Sequence, residues 1–481
     1  MQHHKLSQEP DQVAVTGPLV LDVEKALLRT DLRYERFWSA FGRDPFAAFS
    51  AVAGNIQSPA RRARALSEIA AITIDRLPVR ESVLTLAHAA LAKGRPVHLV
   101  SGLDQASVDA LALRLDLPGP HFGSGPDQDL TGAGKAAFLV KRFGAGGFDY
   151  AGRVTNNDHA WEHARNVIAI APPARQHGKL LNLGKPTEII SEKWHLLTLV
   201  RELRPHQWVK NLLLFVPLLA AHQFTPAAVL QVLLAVMAFS LGASSTYVLN
   251  DLFDLDADRH HPEKRHRPIA SGMLPIPVAV MASATLAALA LTLALAVGPP
   301  VAGLTLIYML GSLGYSLWLK KRRWLDVVAL ACLFLLRVVA GAVAAGVQIP
   351  PILLALGFTV FFVLACVKRI TALSRLQVHG HLPGRGYRPS DLLKLEWAAY
   401  VSIIVTAAIF IAYSFGFEAG DLYEKRAVLS FAVVPLVVWL YRIVQLSIQG
   451  REDYDPVSFV LRDGTGLAIA ASGIALIVLA I

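Results

Sequence analysis

The sequence predicts two parts. An α/β domain occupies residues 1–188 and, after a linker at 189–203, an all-α membrane domain of nine transmembrane helices occupies 204–481. Three observations predict this. Hydrophobic residues make up 54 % of the 481 and charged residues 17 %, too apolar a balance for a soluble chain of this length. The apolar residues are unevenly placed: 1–200 reads as a globular mixture, whereas long apolar runs dominate 205–481. Within 17–175, short apolar stretches alternate with helical ones, the pattern of an α/β fold.

Taken in order, Met1 to Pro10 is polar and lacks the apolar core of a cleaved signal. Strand candidates are Leu19–Val23, Val97–Ser101, Tyr150–Val154 and Val167–Ala171. Residues 176–200, with Gly178, Gly184 and Pro186, read as a linker and a short amphipathic approach to the membrane. A spanning helix needs about 20 mostly apolar residues. Candidates lie at 208–222, 226–249, 274–296, 299–318, 325–346, 350–367, 396–416, 427–447 and 461–481. The first is short and carries Lys210. Pro and Gly punctuate the turns, as at Gly298-Pro299-Pro300. Cys332 and Cys366 fall in apolar runs and read as small core residues, not as a disulfide or metal site.

The net charge is +10. The basic residues lie in loops between apolar runs instead of forming a patch interleaved with aromatics. That excludes nucleic acid as partner and points to membrane topology and lipid head groups. Basic or long loops occur at 250–273, 319–324, 368–395 and 448–462; the alternate loops are short or acidic, as at Glu418 and Asp421. This alternation places the N-terminal domain and every polar-rich loop in the cytoplasm and the C-terminus outside. An oligomer is allowed but required by no motif.

The chemistry concentrates in Asn250-Asp-Leu-Phe-Asp-Leu-Asp-Ala-Asp258, at the end of an apolar run and before the basic stretch Arg259 to Arg267. On a helix Asp251, Asp254 and Asp258 share one face, and Asp256 falls off it. Three carboxylates at the mouth of a membrane helix repel one another unless a cation sits among them. Oxygen ligands of this kind suit Mg²⁺, commonly held by carboxylates together with substrate phosphates. Arg337 lies inside an apolar run, where an ionisable residue faces a protein interior or cavity. Its guanidinium suits a phosphate; the alternative is an internal ion pair with Asp326. Lys321, Arg322 and Arg323 read as topology-setting charges. Carboxylates that hold a metal, surrounding cations and apolar helices suit a metal-bound diphosphate and a long apolar chain, hence transfer at a carbon bearing a diphosphate.

At these residues the chain resembles the UbiA superfamily of intramembrane prenyltransferases, over about 204–481. Asn250-Asp251-x-x-Asp254-x-x-x-Asp258 is similar to that superfamily's first metal motif. The chain looks most like its decaprenyl-phosphate phosphoribosyltransferase branch, on Arg204-Pro-His-Gln-Trp-Val-Lys-Asn211, Lys264-Arg-His-Arg-Pro-Ile-Ala-Ser-Gly272, Tyr315-Ser-Leu-Trp-Leu-Lys320, Leu325-Asp-Val-Val328, Leu336-Arg-Val-Val-Ala-Gly-Ala342, Lys368-Arg369 and Asp455-Pro456 to Asp463. The resemblance implies Mg²⁺ on Asn250, Asp251, Asp254 and Asp258, with Asp251 and Asp254 catalytic. It implies substrate contacts from Lys210, Asn211, Tyr247, Lys264, Arg265, Arg267, Tyr315, Lys320, Arg337, Lys368 and Arg369. It also implies the substrates 5-phosphoribosyl diphosphate and a polyprenyl phosphate, in a bacterial inner membrane. The alternative is prenyl transfer to an aromatic or other small acceptor, which calls for a second acidic motif after the sixth span. Residues 367–394 hold one acid, Asp391, and many cations. Ala372 stands where the phosphoribosyl branch usually has an acid.

Pro18-Leu-Val-Leu-Asp-Val-Glu-Lys-Ala26 resembles the first motif of the haloacid dehalogenase superfamily, which has a Rossmann-like fold. Asp22 holds the nucleophile position, and Glu24 replaces the second aspartate. Ser101 can serve as the second-motif hydroxyl. Thr131 stands where a lysine is expected, with Lys135 nearby. Arg153 and Asn157 stand where acids would hold Mg²⁺. The resemblance thus implies a phosphatase-like domain that has lost its metal site.

Overall fold

The computed structural model describes residues 17–481 apart from 126–127, 154–158, 173–177, 179, 181, 183, 193, 376–385, 421 and 451–462. It divides into two compact units. One comprises Met1–Glu202 with Asp251–Val280, the other Leu203–Asn250 with Met281–Ile481. The acidic segment after residue 250 therefore belongs with the N-terminal residues.

The first unit is built on a six-stranded parallel sheet of order β3-β2-β1-β4-β5-β6. The strands are β1 (Leu19–Asp22), β2 (Val97–Asp104), β3 (Phe122–Ser124), β4 (Asp149–Gly152), β5 (Val167–Ile170) and β6 (Thr187–Ile190). Alternation fixes its two faces. Leu19, Leu21, Val97 and Leu99 enter one core, and Val20 and Val100 enter the other. In this strand order the crevice lies at the carboxyl ends where the order reverses, beside β1, and Asp22 ends that strand. The four expected strands form. β3 and β6 were not expected: β3 has three residues, and β6 lies in the stretch read as linker, where Thr-Glu-Ile-Ile pairs with β5.

Four α-helices intervene between β1 and β2, of which the first three are α1 (Leu32–Arg43), α2 (Pro45–Ala53) and α3 (Pro59–Ile69). Asp44 ends α1 and caps α2, its side chain accepting from the Ala47 N–H, with Pro45 at the first helical position. The three helices share a small core of Ala40, Ala48 and Leu66 flanked by Phe37 and Phe41. Against the sheet pack α4 (Glu81–Ala92) and α5 (Gln105–Arg114) in one core and α6 (Gly132–Phe143) in the other.

The second unit opens with a 3₁₀ helix, Pro205–Phe215, that continues into a short helix, α7 (Val216–Ala220). This replaces the regular helix expected at 208–222. Pro205 and Pro217 withhold N–H donors, and the segment buries Lys210 and Asn211. It packs against Gly341, where any Cβ would collide with the Leu214 backbone. Seven helical spans long and apolar enough to cross a membrane follow: α8 (Pro226–Phe253), then, after the short α9 (Leu255–His260), α10 (Ile276–Val297), α11 (Pro299–Leu317), α12 (Leu325–Ala345), α13 (Pro351–Ser374), α14 (Pro389–Phe415) and α15 (Arg426–Ile448). The apolar helix α16 (Gly464–Ala480) is shorter, at 17 residues. The chain is an integral membrane protein, and among the described residues seven helices are long and apolar enough to span, where nine were expected. Cys366 is buried as expected, whereas Cys332 is exposed on α12.

Candidate functional site

The helix α8 ends at Phe253, and Asp254 has non-helical dihedrals (φ −93°, ψ 11°) before α9 begins. The continuous helical face expected for the three aspartates is therefore interrupted at its middle member. Asp251 and Asp258 are buried, Asp254 is half-buried, and Asp256 is exposed, as its position off that face requires. The chain then doubles back, and Arg267 Nη1 donates to Asp251 Oδ1 at 3.0 Å and to Asp258 Oδ2 at 2.5 Å. Lys264 Nζ lies 3.9 Å from Asp258 Oδ1, while Arg265 is exposed and donates to His266. Burial pushes the Asp258 carboxyl up to about 6; Arg267 opposes the rise and the Asp251 charge adds to it. Arg267 thus bridges the two carboxylates, with Lys264 as a second, more distant cation at Asp258.

Among the described residues no group of three His, Cys, Asp or Glu side chains stands ready to hold a metal. The donor chemistry nonetheless fits Mg²⁺. Two carboxylates converge on one charged nitrogen of Arg267, the place a cation would take, with Asp254 and Asn250 close in the chain.

The segment is held from the N-terminal side. Arg259, beside Asp258, is buried and donates through both Nη atoms to Glu35 of α1, at 2.5 and 2.8 Å, and through Nε to the Ala270 carbonyl at 3.1 Å. A Cβ on Gly42 of α1 would collide with the Phe253 carbonyl. Gly272, at φ +69°, turns the segment where a side chain would press on Arg29 and Pro78. Sequence reasoning missed the Glu35–Arg259 pair, because its members stand 224 residues apart.

In the second unit Lys210, Asn211 and Arg337 come together. Arg337 donates from Nε to Asn211 Oδ1 at 2.9 Å, from Nη1 to the Leu333 carbonyl and from Nη2 to the Tyr308 hydroxyl. Asn211 donates to Ser240, and Lys210 donates to Gln207. The expected alternative partner, Asp326, instead pairs with Arg369, and Tyr315 joins both. Arg337 therefore has no ion pair among the described residues, although it is 5 % exposed within α12. Tyr308, also stacked under this guanidinium, was not foreseen. Tyr247 lies half-buried beneath Arg204. Lys320, in the 3₁₀ turn Leu319–Lys321, and Lys368, within α13 six residues before its end, are half-buried. Lys321, Arg322 and Arg323 are exposed.

At the end of β1, Asp22 is fully buried and accepts from Lys135 Nζ at 2.5 Å and from the Tyr150 hydroxyl at 2.8 Å. Ser101 is buried, its hydroxyl accepting from the Leu103 N–H. Burial pushes Glu24 up; Asp22 adds to the rise, and Lys135 opposes it. Arg153 is exposed, and Asn157 lies outside the described residues.

The UbiA prenyltransferase family matches residues 212–461. The Sinorhizobium fredii protein y4nM is 32 % identical over 464 residues, covering 94 % of this chain and 89 % of that one. Decaprenyl-phosphate phosphoribosyltransferase of Mycobacterium tuberculosis is 28 % identical over 284 residues, covering 57 % of this chain and 91 % of that one. A solved UbiA homologue from Archaeoglobus fulgidus, bound to GPP and Mg²⁺, is 18 % identical, with a TM-score of 0.46 over 58 % of this chain and 99 % of that one.

Proposed function

Because the chain belongs to the UbiA prenyltransferase family, we propose that it is a Mg²⁺-dependent transferase that moves 5-phosphoribosyl from phosphoribosyl diphosphate onto a polyprenyl phosphate, with diphosphate as the leaving group. The observation that carries the reading is the convergence of the buried carboxylates Asp251 and Asp258 on Arg267. Asp251, Asp254 and Asp258, with Asn250, would hold Mg²⁺, which would neutralise charge developing on diphosphate. Arg267 then becomes available to diphosphate oxygens. Arg337, a buried cation without an acid partner, suits a phosphate better than a neutral acceptor. Tyr308 and Asn211 hold its guanidinium in one orientation.

The choice of phosphoribosyl over prenyl transfer rests on residues 367–394. Their one acid, Asp391, accepts from the Arg388 N–H and pairs with Arg323, a capping role. The Mycobacterium tuberculosis relative's name agrees with this choice. The polar loops would face the cytoplasm of a bacterial plasma membrane, with the C-terminus outside. That orientation counts both Pro205–Ala220 and α16 (Gly464–Ala480) as crossings beside the seven long spans. The 3₁₀ winding of the former, rising about 2 Å per residue, stretches the segment to roughly 30 Å, the thickness of a hydrocarbon core. The first unit's Asp22 site would not hydrolyse phosphate esters, because Arg153 and Asn157 stand where acids would hold Mg²⁺.

Mass spectrometry of lipids from membranes containing the protein, incubated with phosphoribosyl diphosphate and a polyprenyl phosphate, tests the assignment. A phosphopentosyl lipid is expected. A prenylated aromatic formed from a prenyl diphosphate instead would select the alternative.

A further inference from the structure

The first unit carries an apolar surface that the transfer chemistry does not use. α2 has no charged residue. Phe46 and Phe49, three apart and so on one face, are 75 % and 59 % exposed, and Ile56 in the following turn is 68 % exposed. Single exposed apolar side chains are ordinary on a protein surface. Three on one small helical hairpin form a patch, and patches mark interaction sites.

The surroundings indicate what covers it. The Phe49 ring meets Phe41 edge-on with centroids 5.3 Å apart, and Phe41 lies 5.1 Å from Phe253. Phe49 is therefore two ring contacts from Phe253, the carboxyl-terminal residue of α8, a helix long enough to cross a membrane. Next to α2, α3 opens with Pro59-Ala-Arg-Arg-Ala-Arg64, of which Arg61 and Arg64 are exposed. Apolar side chains this near the end of such a helix, with adjoining arginines, fit an anionic lipid surface.

We propose that α2 is a membrane-surface anchor. Phe46, Phe49 and Ile56 enter the head-group boundary of the leaflet at the carboxyl end of α8, and Arg61 and Arg64 meet anionic lipid phosphates. Through α1 and the Glu35–Arg259 pair, the anchor holds the acidic segment at that depth.

The test uses the full chain with Cys332→Ala and Cys366→Ala, reconstituted in nanodiscs of phosphatidylcholine and phosphatidylglycerol. A nitroxide is placed in turn at Phe46→Cys, Phe49→Cys, Ile56→Cys and, as a water reference, Lys141→Cys on α6, where Lys141 is exposed. Collision with lipid-soluble oxygen is compared with collision with a water-soluble nickel chelate. The anchor predicts oxygen-dominated relaxation at 46, 49 and 56 and nickel-dominated relaxation at 141. It also predicts a shift toward nickel at 49 in Arg61→Glu/Arg64→Glu. Nickel access at 46, 49 and 56 equal to that at 141 overturns the proposal. So does shielding from both probes, the signature of a second copy or other protein. The readout is independent of the transfer reaction, so loss of the transferase assignment leaves it standing.

Discussion

Two of the first unit's buried aspartate sites, Asp22 and the Asp251–Asp258 pair, are neutralised from within, and they differ in the exposure of the neutralising cation. At Asp22 the carboxylate, near enough to Glu24 to raise it, meets the Lys135 ammonium, whose side chain is 2 % exposed, and a tyrosine hydroxyl also donates to it. At Asp251 and Asp258 two carboxylates share the Arg267 guanidinium, whose side chain is 27 % exposed. Burial, more than the neighbouring Asp251 charge, pushes the Asp258 carboxyl up to about 6. A divalent cation held by these carboxylates would relieve their repulsion and free Arg267 for solvent or substrate. At Asp22 the cation would have to displace a buried ammonium. The exposure of the side chain that a metal would have to displace is the difference between the two sites that bears on metal binding.

The largest expected effect is at the Asp251–Asp258 site. Asp251→Ala and Asp254→Ala should each lower transfer by at least about 10³-fold while the protein still inserts, measured as product lipid per amount of protein in membranes. Full activity in either variant would remove the distinction between the two sites. At the sealed site the effect is on stability. Asp22→Asn should cost about 3 kcal/mol by leaving Lys135 short of its partner, and Asp22→Asn/Lys135→Met should recover most of it. Thermal unfolding of the purified chain measures both, and transfer by the double variant should equal wild type.

A smaller effect is expected where the first unit supports the acidic segment. Glu35→Gln should weaken divalent binding about 10-fold, with Glu35→Asp between it and wild type, because Glu35 acts through Arg259 and touches no ligand. Unchanged binding in a folded Glu35→Gln protein would show that α1 only packs there. The smallest is a pH effect at Asp149. Burial would raise this carboxyl, but bonds from Arg165 and Asn166 and the charge of Arg95 hold it below its ordinary value. Its stabilisation is present above the unfolded pKa and is lost as pH falls through the lower folded one. Asp149→Asn should therefore cost about 1 kcal/mol at neutral pH, and the gap from wild type should close below about pH 4.

Much of this was legible in the sequence where local pattern governs structure. Leu19 to Asp22 alternates toward two cores and forms a strand, and the long apolar runs form spans. Asp251 and Asp258 were identifiable because spacing along one stretch of chain sets their proximity. Contacts made across the chain were not. Nothing near Arg337 distinguishes a partner at Asp326 from one at Asn211; the structure gives Asp326 to Arg369. Pro205–Ala220 looked like a short regular helix, but its prolines and its buried Lys210 and Asn211 come with a 3₁₀ segment. The join between α1 and the acidic segment was hidden because the two lie in what read as separate domains.

Manganese titration of the purified full-length chain, followed by the loss of the free-ion electron paramagnetic resonance signal, tests the central claim most directly. Wild type and Asp22→Asn/Lys135→Met should bind the ion alike, and Asp251→Ala should leave it free. Binding that survives Asp251→Ala but disappears in Asp22→Asn/Lys135→Met would move the metal to the other aspartate and contradict the account.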